Sequence, residues 1–179
     1  MGLIPKSVPG KFHLIHDLSF PKNSECSVNS LIPLENSVVK YDGIDNVIKF
    51  VKYFGQNSLL SKCNIEDAFR IICVHPSDYP YLGFTWNNLY YFDRGLPMGA
   101  SSCQIFERSS CALQWIMEHK YHAAGMSHII VDFLFVGPPN SNKCLTDLSA
   151  FLQLCHKLGV PIKDDKTVLP TTWHRGRFK

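Results

Sequence analysis

The chain has 179 residues, of which 45% are hydrophobic and 18% are charged, and its formal net charge is +3. Chains of this length and composition can bury a globular core, and the mild positive charge permits a nucleic-acid partner without arguing for one. There is no apolar run near the ~18 residues of a membrane span and no apolar N-terminal signal, so we expect an intracellular protein with one domain, or one domain with two lobes.

The first half of the chain predicts a strand, a helix and a second strand. Residues 1–37 are rich in Pro, Ser and Asn, and their one strand-like stretch is KFHLIHDLSF. The segment SLLSKCNIEDAFRIICVHP predicts a buried strand, one helical turn and another extended piece before Pro76. Between them, the segment 42–56 predicts a helix that ends at Gly55 and has one apolar face, made of Ile44, Val47, Ile48, Val51 and Phe54.

The second half predicts two hairpins and two helices. Asn87-Asn88 lies between two β-rich runs and indicates a two-residue hairpin turn. The stretch SHIIVDFLFVG, 127–137, predicts a strand or hairpin. The apolar face of a helix over 101–122 would consist of Ile105, Phe106, Ser109, Leu113, Ile116 and Met117. A helix over 142–160 would end at Gly159 and turn four side chains inward, namely Leu145, Leu148, Leu152 and Cys155. This order predicts an α+β fold, an antiparallel sheet with helices on one face.

The cysteines and histidines do not indicate a metal site. None of the seven cysteines forms a C-x-x-C pair, and a zinc knuckle needs such close ligand pairs. His13-x-x-His16 and His119-x-x-His122 have metal-like spacing, but neither has a partner cysteine pair. We therefore interpret the cysteines as buried thiols in a reducing compartment.

Five segments, taken in chain order, resemble one family. They are GLIPKSVPGKFHLIHDLSFP, AFRIICVHPSDYPYLGF, YYFDRGLPMGASSCQIFE, DFLFVG and LGVPIKDDKT. In this order and spacing they resemble the fingers and palm of a reverse transcriptase over residues 2–172. The amino-acid sequences of the segments resemble in particular those of the DIRS-type retrotransposons. The resemblance implies a palm sheet with helices on one face and partial fingers. The fingers would be roughly 1–40 and 73–100, and the palm roughly 41–72 and 101–172.

The resemblance ends before the last seven residues. After residue 172 the family continues into a primer-grip hairpin and a thumb, whereas this chain reads WHRGRFK. We therefore expect the thumb to be absent and residues 173–179 to be an unrelated basic tail.

The resemblance also implies Mg²⁺, the cofactor of template-directed nucleotidyl transfer in this family. Two ions are held there by one Asp at a strand end and two adjacent Asp at a hairpin turn. The matching positions here are Asn64, Val131 and Asp132, so two of three carboxylates are replaced. Glu66 is a candidate surrogate because it would share a face with Asn64 if the strand continued. Val131 would also be strained, because a tight hairpin turn favours positive φ.

The remaining site residues are carried over from the family one by one. His13 stands where the family usually has Arg, and a mostly neutral imidazole without a bidentate fork should bind phosphate weakly. The resemblance implies Lys6 and His13 for the incoming triphosphate, Asp67, Ala68 and Phe69 for the pocket under the sugar, Leu96, Pro97, Met98 and Gly99 for the nucleotide and template pocket, and Lys166 for pyrophosphate.

The resemblance and its end at residue 172 imply a truncated reverse-transcriptase-like domain of retrotransposon origin, and the replaced carboxylates predict that it is catalytically inactive. The alternatives are an active RNA-directed DNA polymerase domain and a nucleic-acid or protein interaction module. The partners implied by the resemblance are dNTP and RNA or an RNA/DNA hybrid, bound weakly and in a salt-sensitive manner through Lys6, Lys11, Arg70 and the tail. We expect Asp132 to lie near the surface beside Asn64, where water rather than metal satisfies it.

Overall fold

The structure is a computed structural model that describes residues 2–5, 9–22, 25–38 and 44–172, without the side chains of His13 and Cys103. In chain order the strands are β1 (Gly2–Pro5), β2 (Phe12–Ile15), β3 (Leu59–Asn64), β4 (Gly83–Trp86), β5 (Leu89–Phe92), β6 (Met126–Ile129), β7 (Asp132–Gly137) and β8 (Val168–Thr172). The helices are α1 (Ile44–Phe54), α2 (Ala68–Ile71), α3 (Phe106–Lys120) and α4 (Lys143–Leu158). The chain divides into two compact units, the first made of Met1–Val39 and Asp67–Phe106 and the second of Lys40–Glu66 and Glu107–Lys179.

The first unit contains two antiparallel strand pairs, β1–β2 and β4–β5. The turn of the second pair confirms the predicted hairpin, because Asn87 and Asn88 have φ of 49° and 60° and the strands pair from Trp86↔Leu89 outward. Asn tolerates this left-handed conformation better than most residues. The core of the unit is built from Leu18, Leu82, Leu96 and Ala100, with Val28, Phe69, Ile72 and Val74 packed against it.

The described part of the second unit contains an antiparallel sheet in the order β6-β7-β3-β8. Strand β3 lies inside this sheet, and its burial follows from pairing on both edges. Its last residue, Asn64, is directly opposite Asp132, the first residue of β7, and Asp132 also pairs with Ile129 at the end of β6. The sheet therefore places Asn64 and Asp132, the two polar positions singled out in the sequence, side by side at one end of its strands.

The prediction that the helices lie on one face is wrong. Leu60, Leu134 and Val136 pack against α1, whereas Phe133 and Phe135 pack against Phe151 of α4. Neighbouring residues of a strand point to opposite faces, so α1 covers one face and α4 the other. Both faces of β7 are apolar, and for that reason helices can cover both.

Helix positions follow the predicted periodicity with two corrections. The predicted helix over 101–122 is divided into a 3-10 turn, Ser101–Ile105, and α3. On α4, Leu145 is 44% exposed, so the inward prediction for it is wrong, while Cys144 and Phe151 are fully buried. Helix α1 ends before Gly55, and Gly159 ends α4 with φ of 70°, both as predicted.

The prediction of buried thiols is right for half of the described cysteine side chains. Three are buried, namely Cys63, Cys144 and Cys155, and three are exposed, namely Cys26, Cys73 and Cys111. Among the helices of the described residues, none has the length and apolar character needed to cross a bilayer.

Candidate active site

Asn64, at the end of β3, and Asp132, at the start of β7, form the candidate active site. Asn64 is only 6% exposed, whereas Asp132 is exposed. The Asn64 Nδ2 donates a hydrogen bond of 2.8 Å to Asp132 Oδ1. Asp132 therefore lies at the surface beside Asn64, as predicted. The amide of Asn64 thus contacts one of its carboxylate oxygens. That water rather than a metal satisfies the rest of the carboxylate stays a prediction.

The turn between β6 and β7 consists of Ile130 and Val131. The strained residue is Ile130, with φ of 53°, and not Val131 as predicted. This β-branched residue is fixed by α3: Ile130 N donates to Glu107 Oε2 at 3.0 Å, and Ser110 Oγ donates to Ile130 O. The Val131 carbonyl accepts a 3.0 Å hydrogen bond from Ile65 N. These contacts hold a turn for which glycine would be the favoured residue.

The side chains of Asn64, Val131 and Asp132 do not provide the ligands that a pair of Mg²⁺ ions needs. Mg²⁺ binds through hard oxygen ligands in octahedral geometry, and carboxylates compensate its charge. Asn64 presents its amide N–H to the only carboxylate of the three matched positions, and the side chain of Val131 has no donor atom. Glu66, the candidate surrogate, is exposed and follows the end of β3, where its backbone N–H donates to Pro161 O. Its role stays a prediction.

Lys166 lies in a 3-10 turn, Asp164–Lys166, next to the same strand end. Lys163 N donates to Asn64 O at 2.8 Å, which joins this turn to the end of β3. Lys166 itself is exposed, so its ammonium group is accessible to solvent. Its assignment to pyrophosphate remains a prediction.

In the first unit, the residues assigned to the sugar pocket surround the start of α2. Asp67 precedes this helix with φ of 44°, in the left-handed region. Ala68 is buried, and Phe69 is half-buried in the core, with its ring edge-on to Phe106 at 6.2 Å between ring centres. Phe69 therefore has a packing role in this unit independent of any contact with a nucleotide.

The segment Leu96–Gly99 is braced by backbone hydrogen bonds. Leu96 N donates to Ile72 O at 2.9 Å, and His16 N donates to Met98 O at 3.2 Å. Gly99 has φ of +117°, and a Cβ there would lie 2.1 Å from the His16 carbonyl oxygen. Only glycine fits this close approach. Pro97 is buried and Met98 is exposed.

Among the predicted phosphate-binding groups, some lie outside the described residues and one is ion-paired. Lys6, the side chain of His13 and the segment 173–179 lie outside the described residues. Arg70 is paired with Asp93, so part of its charge is already compensated. Lys11 is exposed.

His16 shares the carboxylate of Asp93. Its Nε2 lies 3.1 Å from Asp93 Oδ2, although neither atom has a well-aligned hydrogen bond. Burial lowers the pKa of His16 below 6.5, and the opposing attraction of Asp93 is smaller.

Sequence reasoning missed the residues of α3 that support the hairpin. Glu107 and Gln114 both contact His128 on β6, with Glu107 Oε1 at 3.1 Å from Nε2 and Gln114 Oε1 at 2.5 Å from Nδ1. The spacing of Glu107, Ser110 and Gln114 places them on one face of a helix, which was an available signal. Their partners lie on β6 and its turn, and helical spacing alone does not identify them.

Solved structures of foamy virus protease-reverse transcriptases are similar to the chain. The foamy viral protease-reverse transcriptase in complex with double-stranded DNA matches with a TM-score of 0.67 and 18% identity, over 93% of this chain and 26% of that one. The native prototype foamy virus protease-reverse transcriptase matches with a TM-score of 0.67 and 17% identity, over 93% of this chain and 20% of that one. A complex with an RNA/DNA hybrid matches with a TM-score of 0.54 and 17% identity, over 64% and 15%.

These matches show that the chain has a reverse-transcriptase-like fold. It spans about a quarter or less of the length of the proteins it matches. No protein-family model matches the chain, and no curated protein does.

Proposed function

We propose that this chain is the fingers and palm region of a retrotransposon-derived reverse transcriptase of DIRS type that binds nucleic acid without synthesising DNA. The observation that carries the proposal is the hydrogen bond between Asn64 and Asp132. In the proposed alignment it lies where metal-binding carboxylates would meet. The reverse-transcriptase-like fold supports the ancestry.

The loss of catalysis follows from charge. Nucleotidyl transfer depends on ions that neutralise the triphosphate and activate the attacking oxygen. A single carboxylate that accepts an amide N–H offers one negative charge and few open oxygen ligands. Removal of such electrostatic stabilisation costs several powers of ten in rate.

Nucleic-acid binding is the part of the ancestral function that the remaining surface supports. The similar foamy viral proteins were solved with double-stranded DNA and with an RNA/DNA hybrid. In this chain the β4–β5 hairpin exposes aromatic rings, among them Trp86 and Tyr90, and bases stack on such rings without sequence preference. We propose RNA or an RNA/DNA hybrid as the ligand.

Primer extension tests the catalytic half of this proposal. The full chain is incubated with a primed RNA template, dNTP and either Mg²⁺ or Mn²⁺. The wild type is expected to incorporate no nucleotide above background. Incorporation by the wild type, at a rate that falls when Asp132 is changed to Asn, would contradict the proposed inactivity.

Filter binding over a salt series tests the other half. For single-stranded RNA, log K should fall with log salt by about 0.7 per neutralised phosphate. Replacement of Lys11 by Ala should reduce the slope, whereas Lys157→Ala, on an exposed part of α4, is the matched control. A slope near zero would favour a protein-interaction role instead.

A further inference from the structure

We infer that Glu107, Cys111 and His128 form a zinc-binding site in the second unit, named here the α3–β6 cluster. The atoms that these side chains offer, a carboxylate oxygen, the Cys111 sulfur and an imidazole nitrogen, all lie within 4.8 Å of one another. This site does not include Asn64 or Asp132 and does not rest on the proposed nucleic-acid binding, although Glu107 also holds the Ile130 turn.

The elements of the fold place the three donors together. Glu107 and Cys111 are four residues apart on α3, so they lie on one face of the helix, one turn apart. His128 lies on β6, whose inward face packs against the same helix through Gln114 and Glu107. The ligands therefore come from two rigid elements rather than from a loop.

Two of the three separations between donor atoms agree with tetrahedral zinc. With bonds of roughly 2.0–2.3 Å and tetrahedral angles, nitrogen and oxygen ligands lie about 3.4 Å apart, and nitrogen and sulfur about 3.6 Å apart. In the structure, His128 Nε2 is 3.1 Å from Glu107 Oε1 and 3.7 Å from Cys111 Sγ. These two separations lie within a few tenths of an ångström of the tetrahedral values, and the third, between Glu107 and Cys111, is no more than 4.8 Å.

Outer hydrogen bonds already orient two of the ligands. Gln114 Oε1 lies 2.5 Å from His128 Nδ1, so this nitrogen carries the proton toward the glutamine and Nε2 faces the other two donors. The second oxygen of Glu107, Oε2, accepts the Ile130 N–H at 3.0 Å and leaves Oε1 for the ion. Partners of this kind are the usual outer shell of protein metal sites.

The ligand chemistry indicates zinc rather than magnesium. A set of one thiolate, one imidazole and one carboxylate is borderline-soft, whereas Mg²⁺ prefers oxygen alone. Glu107 and His128 are buried, and Cys111 is exposed. The ion can therefore enter from the side of the thiol, where water completes the fourth position.

Cobalt provides the direct test, with the reduced, metal-free full chain and Co²⁺ or Zn²⁺ as the probes. We expect one equivalent of Co²⁺ to produce tetrahedral visible absorption bands and a thiolate-to-cobalt charge-transfer band, and Zn²⁺ to remove both. Gln114→Leu should weaken Zn²⁺ binding about 10–100-fold, and Cys111→Ser by more. Cys73→Ser, which changes an exposed cysteine of the first unit, is the matched control and should bind as the wild type does.

The Cys111→Ser variant keeps the test decisive, because a substitution at an exposed position leaves the core intact. If it folds, as shown by circular dichroism, and binds Zn²⁺ as tightly as the wild type, the ion is held by other thiols and the inference is wrong. Absence of the charge-transfer band in the wild type would also overturn it. In that case Glu107, Gln114 and His128 are a hydrogen-bonded network without a metal.

Discussion

At the scale of single residues, the chemistry of the candidate site depends on whether position 64 carries an amide or a carboxylate. The amide of Asn64 donates to Asp132 and is itself almost fully buried. A carboxylate in the same place would meet Asp132 as a like charge, with no hydrogen to share near neutral pH. Asn64 thus stabilises the folded chain at a position where a carboxylate would repel Asp132.

The first prediction is that Asn64→Asp destabilises the chain in a pH-dependent manner. The change removes a donor and adds a negative charge, for a loss of about 1–3 kcal/mol at pH 7. Repulsion raises a carboxyl pKa in the folded state, so the loss grows as pH rises from about 4 to 7. Urea unfolding at both pH values measures it. Asn140→Asp, in an exposed turn, should show no such trend.

Restoring both carboxylates extends this prediction. The variant Asn64→Asp with Val131→Asp should gain stability from Mn²⁺, because the ion would neutralise the added charge. Thermal unfolding with and without Mn²⁺ is the measurement, and the wild type is the control. If Mn²⁺ leaves the variant's melting temperature unchanged, these positions do not form a metal site and the alignment with the palm motifs is wrong there.

A second prediction concerns Gly99. Because a Cβ would overlap the His16 carbonyl oxygen, Gly99→Ala should destabilise the chain by about 3 kcal/mol or more. Gly10→Ala is the matched control: it also has positive φ, but nothing lies near its Cβ, so about 1 kcal/mol is expected. Equal losses in denaturant unfolding would show that the contact with His16 is not formed.

The third prediction follows from the lowered pKa of His16. Burial favours the neutral imidazole in the folded chain, so the unfolded chain binds the proton more readily. The stability contributed by neutral His16 is complete above its unfolded pKa of about 6.5 and is lost as pH falls through its lower folded value. His16→Gln should therefore show a weaker loss of unfolding free energy than the wild type between about pH 7 and pH 5. Parallel pH profiles would contradict this assignment.

At the scale of elements, the β6–β7 hairpin has a residue with the wrong conformational preference at its turn. Ile130 adopts φ of 53°, which costs a β-branched residue about 1–2 kcal/mol. Its backbone is hydrogen-bonded on both sides, by Glu107 and Ser110 of α3. The hairpin therefore depends on tertiary contacts more than on its own turn sequence.

The fourth prediction is that glycine substitutions at the two turn residues differ in effect. Ile130→Gly relieves the strain and should be neutral or stabilising by up to about 1 kcal/mol. Val131→Gly relieves nothing and adds chain entropy to the unfolded state, so it should destabilise by about 1 kcal/mol. Equilibrium unfolding of both variants provides the comparison. A greater loss from Ile130→Gly than from Val131→Gly would contradict the observed turn geometry.

Element types could be predicted from periodicity and turn residues, but their environment could not. Asn87-Asn88 and Gly159 act locally, so their signals were sufficient for the turn and the helix end. Leu145 was expected to be buried because it is apolar, yet its exposure depends on which side of α4 meets the sheet. The side of the sheet on which α1 packs could not be predicted either, because β7 is apolar on both faces and therefore does not distinguish them.

At the scale of the whole molecule, the ordered motifs predicted the reverse-transcriptase-like fold. The order of short segments carries this information because related folds keep the same order of strands and helices along the chain, even at 17–18% sequence identity. The position of the strained turn residue and the α3–β6 cluster were not predictable in this way. Both depend on contacts between residues about 20 positions apart, such as Glu107 with Ile130 and His128.

The fifth prediction concerns the cysteines as reporters of global unfolding. A thiol reagent should modify Cys26, Cys73 and Cys111 in the folded chain, and Cys63, Cys144 and Cys155 only after unfolding. Burial raises the pKa of Cys155 to about 12 and also raises the pKa of Cys63 and Cys144. The stability from these neutral thiols is complete below about pH 9 and falls as pH rises toward 12. Peptide mapping measures which cysteines are labelled. A buried thiol that reacts as fast as an exposed one would contradict the predicted labelling pattern.

The hydrogen bond from Ile65 N to Val131 O has a consequence for chemical ageing. Deamidation of asparagine begins when the following backbone nitrogen attacks the side-chain carbonyl, and asparagine is for this reason among the thermolabile residues. The nitrogen that follows Asn64 in the chain belongs to Ile65, and its N–H already donates a 3.0 Å hydrogen bond to the Val131 carbonyl oxygen. Spontaneous conversion of Asn64 to an acid is therefore blocked while the chain stays folded, and stored protein keeps its amide at this position.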